Sequence, residues 1–270
     1  MLFANGQYIS DLRSPVSEAN LSDLRSLVVN QPSVVSYSDD PEQIFERYLS
    51  EGLTVWKTDH MSEIEIDGAR NKITNHPSDR IKNLFQLDQL FAKFLRDPIL
   101  KYMLDKIFAD EKYHLTTFSS NTLRKKDKLT SFIGWQSQLK NKVYFHVDYP
   151  YHELSSPYPD QILGIQVIYA LNDFTIENGA TMYISESFNY HAFPSSFYGQ
   201  QKIDYMTVPK GSVILYRGDL WHSQGHNTTD NPRVALLANF SPEEIPAKDD
   251  VISQLGTDSD FFIRDGRVYL

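Results

Sequence analysis

The stretch Ile162-Leu163-Gly164-Ile165-Gln166-Val167-Ile168-Tyr169-Ala170-Leu171 is the longest apolar run in the chain, and Asn172-Asp173 follows it directly. A short run rich in β-branched residues that ends at a turn signal is typical of a buried strand. Its ten residues are too few to cross a bilayer, which takes about 20. The run therefore predicts a strand of a globular protein and not a membrane helix.

Similar short runs lie on both sides of this strand. They cover 114–123, 143–149, 180–184, 204–208, 212–216, 233–240 and 261–269, and clusters of Gly, Pro, Asn and Asp separate them. Several short strands at this spacing are typical of a sandwich, a jelly roll or a barrel. The pattern predicts a double-sheet β core in the second half of the chain.

The first part of the chain has a helical pattern. Asp40-Pro41-Glu42 is a helix-start signal, apolar residues follow at helical spacing, and Gly52 ends the pattern. Residues 53–58 then alternate like a strand, and two further helical stripes cover 84–95 and 99–107. We therefore predict a mainly β protein whose core is buttressed by N-terminal helices.

The chain contains no linker-like stretch and no internal repeat. We predict one domain over 1–270: a mainly helical part at about 1–113, the β core at about 114–242 and a C-terminal extension at 243–270.

Composition narrows the function classes. The 270 residues carry 35 acidic and 26 basic side chains, a net charge of −9, which disfavours nucleic acid as a partner. There is no cysteine, so thiolate metal sites, disulfides and a cysteine nucleophile are excluded. The N-terminus lacks the basic start and unbroken apolar run of a signal peptide. A cytoplasmic protein without a membrane segment is the prediction.

One histidine and one aspartate are placed together by the predicted strand at 143–149. Side chains alternate along a strand, so His146 and Asp148 share one face while Val147 points to the other. The pair supplies two members of a 2-His-1-carboxylate site, which holds Fe(II) and leaves positions open. A His–Asp pair that is merely hydrogen-bonded on a sheet is the alternative, and the triplet alone does not decide between them.

A second segment supplies what this pair lacks. His222 ends one predicted strand, a polar turn follows, and Arg233 opens the next strand. This order places the imidazole and the guanidinium near one end of a barrel. A guanidinium binds a carboxylate through two parallel hydrogen bonds, which fixes the orientation of an acidic ligand.

Three segments together resemble the phytanoyl-CoA dioxygenase family of Fe(II)- and 2-oxoglutarate-dependent oxygenases. They are His146-Val147-Asp148-Tyr149-Pro150-Tyr151, then Ala170-Leu171-Asn172-Asp173 with Asn178-Gly179-Ala180, and finally Trp221-His222 with Gly225, Asn227 and Arg233. The resemblance covers about residues 40–242. It implies a double-stranded β-helix, the jelly-roll or cupin-like fold, as the core.

The resemblance also implies roles for single residues. His146, Asp148 and His222 would be the iron ligands, and Arg233 would bind the distal carboxylate of the cosubstrate 2-oxoglutarate, with dioxygen as the third participant. Oxidation of a small molecule, by hydroxylation or by desaturation or ring closure, would accompany decarboxylation to succinate. Asp148 argues against a halogenase, in which a small residue replaces the carboxylate. Biosynthesis of a specialised metabolite is the expected setting.

Further candidates for the cosubstrate pocket are Thr181, Asn121 and Gln224, the last standing where relatives often have serine. Tyr149, Tyr151 and His152 follow the first metal-ligand pair and are candidates for substrate contact. The chain also departs from the family at Ser185-Glu186-Ser187-Phe188, where many relatives have Pro-Gly-Ser-His. His226 lies four residues beyond His222, but Gly225 and Asn227 disfavour the helix that such a metal pair needs.

Two classes of function stay open at this point. One is the oxygenase. The other is a protein that keeps the barrel but binds a ligand or a different divalent metal without turnover. The sequence does not identify the substrate or the oligomeric state.

Overall fold

The computed structural model describes residue 38 and residues 40–109, 112–125, 145–194, 203–255, 261–265 and 267–270. Within these ranges five α-helices precede the main run of strands: α1 (Pro41–Glu51), α2 (Glu63–Thr74), α3 (Leu84–Leu87), α4 (Leu90–Phe94) and α5 (Pro98–Phe108). As predicted, Asp40 caps α1 by accepting a hydrogen bond from the Glu42 N–H, and Gly52 ends it with φ at 70°. The stripe at 84–95 is two short helices, because the backbone at Asp88 is extended between them.

In the described part of the chain, ten strands form two antiparallel sheets. The strands are β1 (Leu53–Lys57), β2 (Tyr113–Leu123), β3 (Ile165–Ala170), β4 (Met182–Ile184), β5 (Ile203–Tyr205), β6 (Ser212–Arg217), β7 (His222–Ser223), β8 (Arg233–Pro242), β9 (Phe262–Arg264) and β10 (Arg267–Tyr269). The larger sheet has the order β1-β6-β3-β8-β2-β10-β9, and the smaller has the order β5-β4-β7. The central run at 162–171 is indeed a buried strand, β3, between β6 and β8.

The larger sheet separates two hydrophobic cores. Val234, Leu236 and Ala238 of β8 pack with the helices, whereas Ala235 and Leu237 face the smaller sheet. This alternation follows from the two-residue period of a strand that is covered on both faces. The inner core between the two sheets is where the candidate site lies, and the helical layer supports the sheet from behind.

Two strand predictions need correction. The run at 143–149 does not form a regular ladder over its described part, 145–149: His146 makes an isolated bridge with His222, and the chain turns at Tyr149 and Pro150. Residues 143 and 144 lie outside the described ranges. The run at 261–269 is a hairpin of β9 and β10 instead of one strand, because Asp265 adopts a left-handed turn conformation with φ at 49°. Among the described helices, none combines the length and the apolar character that a membrane crossing requires.

Candidate metal centre

Three side chains from two distant segments converge in the inner core. His146, Asp148 and His222 each offer a ligand atom, and these atoms all lie within 4.8 Å of one another. His222 Nε2 is 3.3 Å from Asp148 Oδ2, and the rings of His146 and His222 are 4.3 Å apart. Two donor atoms that bind one metal at about 2.1 Å and at a right angle are about 3 Å apart. The spacing therefore suits a shared ion.

Backbone hydrogen bonds hold the two segments together. The His146 N–H donates to the His222 carbonyl at 2.9 Å, and the His222 N–H donates to the His146 carbonyl at 3.0 Å. The Asp148 N–H donates to the Gly218 carbonyl at 2.7 Å. His146 and Asp148 thus share one face, as the sequence predicted, although a bridge and a turn replace the regular strand.

A backbone carbonyl fixes the tautomer of His222. Its Nδ1 lies 2.8 Å from the carbonyl oxygen of Leu220, and since a carbonyl only accepts, Nδ1 carries the proton. In the neutral ring Nε2 then has a free lone pair on the side of Asp148. This is the arrangement that orients a metal-binding imidazole.

The electrostatics of the pair favour charged forms. Burial raises the pKa of Asp148, but His222, with smaller contributions from His146 and Tyr216, outweighs burial and leaves that pKa well below its usual value. Burial lowers the pKa of His222, yet the carboxylate of Asp148 reverses the effect and the net shift is upward. The carboxylate is therefore an anion at neutral pH, the form that binds a metal.

Arg233 is a buried cation at the start of β8. It is 3% exposed, and its Nη1 donates to the Gly179 carbonyl at 2.7 Å and to Thr181 Oγ1 at 3.2 Å. Its guanidinium carbon lies 4.8 Å from the centre of the Phe174 ring, while Nε has no hydrogen-bond partner. Burial lowers the pKa of Arg233 to about 10, and no carboxylate among the described residues offsets that cost. The site is one that an acidic ligand would complete.

The glycines and asparagine of the recognised motifs hold this loop region in place. Gly225 packs on the backbone of Gly179 and Ala180, where an added Cβ would lie 2.7 Å from the Gly179 carbonyl carbon. The Asn227 side chain donates to the carbonyls of Leu123 and Asn231, both at 2.8 Å. These contacts fix the turn between His222 and Arg233 against the loop that contains Gly179, whose carbonyl accepts a hydrogen bond from Arg233.

The structure places the other cosubstrate candidates near this end of the inner core. Thr181 contacts Arg233 directly. Asn121 lies on β2 opposite Ala235 of β8, so by register it shares the inner face with Ala235, and its side chain is half-buried. Gln224 directly follows β7 and is half-buried.

The three candidates for substrate contact differ in burial and in hydrogen-bond partners. The hydroxyl of Tyr149 donates to the Pro246 carbonyl at 2.7 Å, and Nε2 of His152 lies 2.8 Å from the Lys248 ammonium at a partly exposed position. Tyr151 has no exposed surface, and its hydroxyl accepts a hydrogen bond from the Leu163 N–H. The turn at 149–153 points Tyr151 into the core, so the structure does not support it as a substrate contact.

Two residues of the centre were missed by sequence reasoning. The hydroxyl of Tyr216 donates to Asp148 Oδ2 at 3.1 Å, and Phe174 lies under the Arg233 guanidinium. Tyr216 is the last residue of the apolar run at 212–216, so its position in the sequence indicates only core packing. The period of β6 alone would have placed its side chain on the same face as Ile214.

Comparison with known proteins identifies the family and the fold of this chain. A family model described as phytanoyl-CoA dioxygenase (PhyH) matches residues 25–235. Dioxygenase trt7 of Aspergillus terreus is 29% identical over 181 residues, which is 65% of this chain and 59% of that protein. An uncharacterised protein of Mycobacterium bovis is 27% identical over 112 residues, 42% of this chain and 39% of that protein. The chain thus spans 39% to 59% of the length of these relatives.

Two solved structures share the fold. HygX from Streptomyces hygroscopicus, with nickel and 2-oxoglutarate bound, is 13% identical with a TM-score of 0.58, and the match covers 76% of this chain and 88% of HygX. The epimerase SnoN, in complex with Fe3+, alpha ketoglutarate and nogalamycin RO, is 15% identical with a TM-score of 0.58, covering 85% of this chain and 95% of SnoN. This likeness confirms the predicted double-stranded β-helix fold. Because the family model matches well over half of the sequence, the chain belongs to the phytanoyl-CoA dioxygenase family.

Proposed function

We propose that this protein is an Fe(II)- and 2-oxoglutarate-dependent oxygenase that hydroxylates a C–H bond of a small molecule. The observation that carries the proposal is the convergence of His146, Asp148 and His222 within 4.8 Å, together with a buried guanidinium that lacks a carboxylate partner among the described residues. Dioxygen and 2-oxoglutarate are the co-reactants, and succinate and carbon dioxide are the by-products.

The donor set fits Fe(II). Two imidazoles and one carboxylate are the ligands of non-haem iron oxygenases, and the set leaves coordination positions open. The chain has no cysteine, so the softer thiolate ligands that favour zinc or iron–sulfur clusters are absent from it. His146, Asp148 and His222 would hold the ion, and the Leu220 carbonyl keeps His222 in the tautomer that binds it.

Arg233 would hold the cosubstrate. Its unpartnered Nε and its fork geometry suit the distal carboxylate of 2-oxoglutarate, while Gly179 and Thr181 fix the other side of the guanidinium. Asn121 and Gln224 are proposed as further cosubstrate contacts from the same region. Burial strengthens the attraction between the guanidinium and a carboxylate because little water competes for either group.

Bound iron would supply the oxidation chemistry: one oxygen atom of dioxygen would end in succinate, and the other would be inserted into the substrate C–H bond to give C–OH. The protein residues orient the metal and the cosubstrate, and they exclude water from the site. The apolar inner core around the ligands, including Phe145 and Val147, keeps solvent from the reacting groups.

A small organic molecule is the proposed substrate. HygX and SnoN have been crystallised with hygromycin B and nogalamycin RO, respectively, which supports a specialised metabolite as the substrate class. Tyr149 and His152, which lie beside the Asp148 segment, are the proposed substrate contacts. Desaturation, ring closure and a non-catalytic binding role are the alternatives to hydroxylation, and product analysis distinguishes them.

Anaerobic addition of Fe(II) and 2-oxoglutarate tests the proposal. We expect a weak visible charge-transfer band for the wild type and its loss in His146→Ala and Asp148→Ala, because each variant removes one of the three ligands. Succinate release in air, screened over a panel of metabolites, then identifies substrates as compounds that raise turnover above the uncoupled background. A wild type that shows no band and binds neither iron nor 2-oxoglutarate would leave only a binding role.

A further inference from the structure

Tyr216 contacts the carboxylate of the candidate metal centre from the wall of the barrel. Its hydroxyl donates to Asp148 Oδ2 at 3.1 Å, and its ring meets the His222 ring edge-on with the centroids 4.9 Å apart. The side chain is 2% exposed. β6 is paired with β1 on one side and with β3 on the other, so the backbone that carries Tyr216 is fixed by two neighbours.

Asp148 lacks such support. It lies outside the strands, its side chain is 24% exposed, and its backbone is held by two hydrogen bonds, from the Asp148 N–H to the Gly218 carbonyl and from the His152 N–H to the Asp148 carbonyl. A carboxylate on a short side chain rotates readily about its last torsion, which is broad and roughly two-fold. The hydrogen bond from Tyr216 selects one rotation, in which Oδ2 lies 3.3 Å from His222 Nε2.

We propose that Tyr216 is a positioning residue of the metal centre, which holds the carboxylate of Asp148 in the one orientation that shares an ion with His222. The inference rests on the proposed function, since it requires that the three ligands bind a metal. It assigns to this chain a contact outside the ligand set, one that neither the metal-ligand pattern nor the family resemblance specifies.

The contact should have a measurable effect on metal affinity. A partner that orients a metal ligand from outside the coordination sphere contributes typically about 10- to 100-fold to metal affinity. Tyr216→Phe removes the hydroxyl and leaves the ring against His222, so packing is retained. The freed carboxylate then samples rotations that do not point at His222, and binding must restrict them again.

Tyr169 provides a matched control. It is also 2% exposed, lies on the neighbouring strand β3, and donates its hydroxyl to the Phe94 carbonyl at 2.7 Å. It packs in the core on the helical side of the sheet and not between the sheets. Tyr169→Phe therefore deletes a buried tyrosine hydrogen bond of the same kind away from the metal centre.

The experiment is a Co(II) titration of the wild type, Tyr216→Phe and Tyr169→Phe, followed by the visible absorption of the bound ion, with thermal unfolding of each metal-free protein alongside. We expect Tyr216→Phe to bind Co(II) about 10- to 100-fold more weakly than the wild type, with shifted absorption bands. Tyr169→Phe should match the wild type in affinity and spectrum while its melting temperature falls at least as much as that of Tyr216→Phe.

Unchanged affinity and spectrum in Tyr216→Phe would overturn the proposal. So would a variant that fails to fold, or one that melts far below Tyr169→Phe yet binds Co(II) normally, because the hydroxyl would then serve the fold. Failure of the proposed function looks different, since in that case the wild type itself does not bind the ion.

Discussion

Arg233 is the residue on which cosubstrate binding depends in this account. Lysine would keep the charge but lose the fork that forms two parallel hydrogen bonds with a carboxylate. Loss of one charge-assisted hydrogen bond of about 1.5–3 kcal/mol corresponds to roughly 10- to 100-fold in affinity. We therefore expect Arg233→Lys to weaken 2-oxoglutarate binding by that factor in an anaerobic titration of the Fe(II)-loaded protein.

The same variant contains its own control. Arg233 does not belong to the three-ligand cluster, so Co(II) affinity of Arg233→Lys should equal that of the wild type. An affinity for 2-oxoglutarate that does not change would contradict the assigned role of the guanidinium.

For single residues, the sequence predicted the metal ligands but not the residues that position them. His146, Asp148 and His222 were predictable because strand alternation and the family motifs select them. Tyr216 was not, because it is 68 residues from Asp148 and only the fold brings the two together. Tyr151 was assigned to the substrate from its closeness in sequence to the ligands, but a turn after Asp148 directs it into the core.

Among the elements, the turn that connects His222 to Arg233 depends on a close backbone approach at Gly225. An alanine Cβ there would overlap the Ala180 carbonyl oxygen and press on Gly179, whose carbonyl accepts from Arg233. We expect Gly225→Ala to lower the free energy of unfolding by about 1–3 kcal/mol, as overpacking does. Chemical denaturation measures this, and 2-oxoglutarate affinity should fall as well.

Gly68 is the control for that change. It lies inside α2, and an added Cβ would meet only the Leu90 side chain, at 3.9 Å. Gly68→Ala should raise the free energy of unfolding by about 0.5–1 kcal/mol, because glycine is the poorer residue in a helix interior. Equal effects of the two substitutions would mean that the contact at Gly225 is not restrictive.

Element boundaries show where sequence patterns are sufficient and where they are not. α1 was predictable because Asp40, Pro41 and Gly52 are local signals that act on their own neighbours. The segment at 143–149 was predicted as a strand from its alternation, yet in its described part the contact at His146 is a single bridge. The alternation does appear in the burial, because Phe145 and Val147 are buried in the inner core whereas His146 and Asp148 are half-buried.

For the molecule as a whole, a buried contact between Asp97 and Trp56 joins the helical layer to the sheet. Asp97 caps α5 by accepting from the Ile99 N–H at 2.8 Å, and its other oxygen accepts from Trp56 Nε1 of β1 at 3.2 Å. Asp97→Ala removes the cap and leaves a buried indole N–H without a partner. We expect a loss of about 2–4 kcal/mol in the free energy of unfolding, measured by denaturation, with Co(II) affinity unchanged.

Asp40→Ala is the matched control, because Asp40 caps α1 at an exposed position and its carboxylate accepts hydrogen bonds from Glu42 and Gln43, which belong to α1 itself. Asp40→Ala should lower the free energy of unfolding by about 1 kcal/mol. A loss at Asp97 no greater than the loss at Asp40 would show that the helical layer does not depend on this contact.

The central claim is that one ion lies between His146, Asp148 and His222. Anomalous diffraction from crystals grown with Fe(II) or Co(II) under anaerobic conditions tests it most directly. The account predicts one strong peak about 2.0–2.2 Å from a ligand atom of each of these three residues. Full metal loading with the peak at another place, or with one of the three side chains turned away from it, would contradict the account.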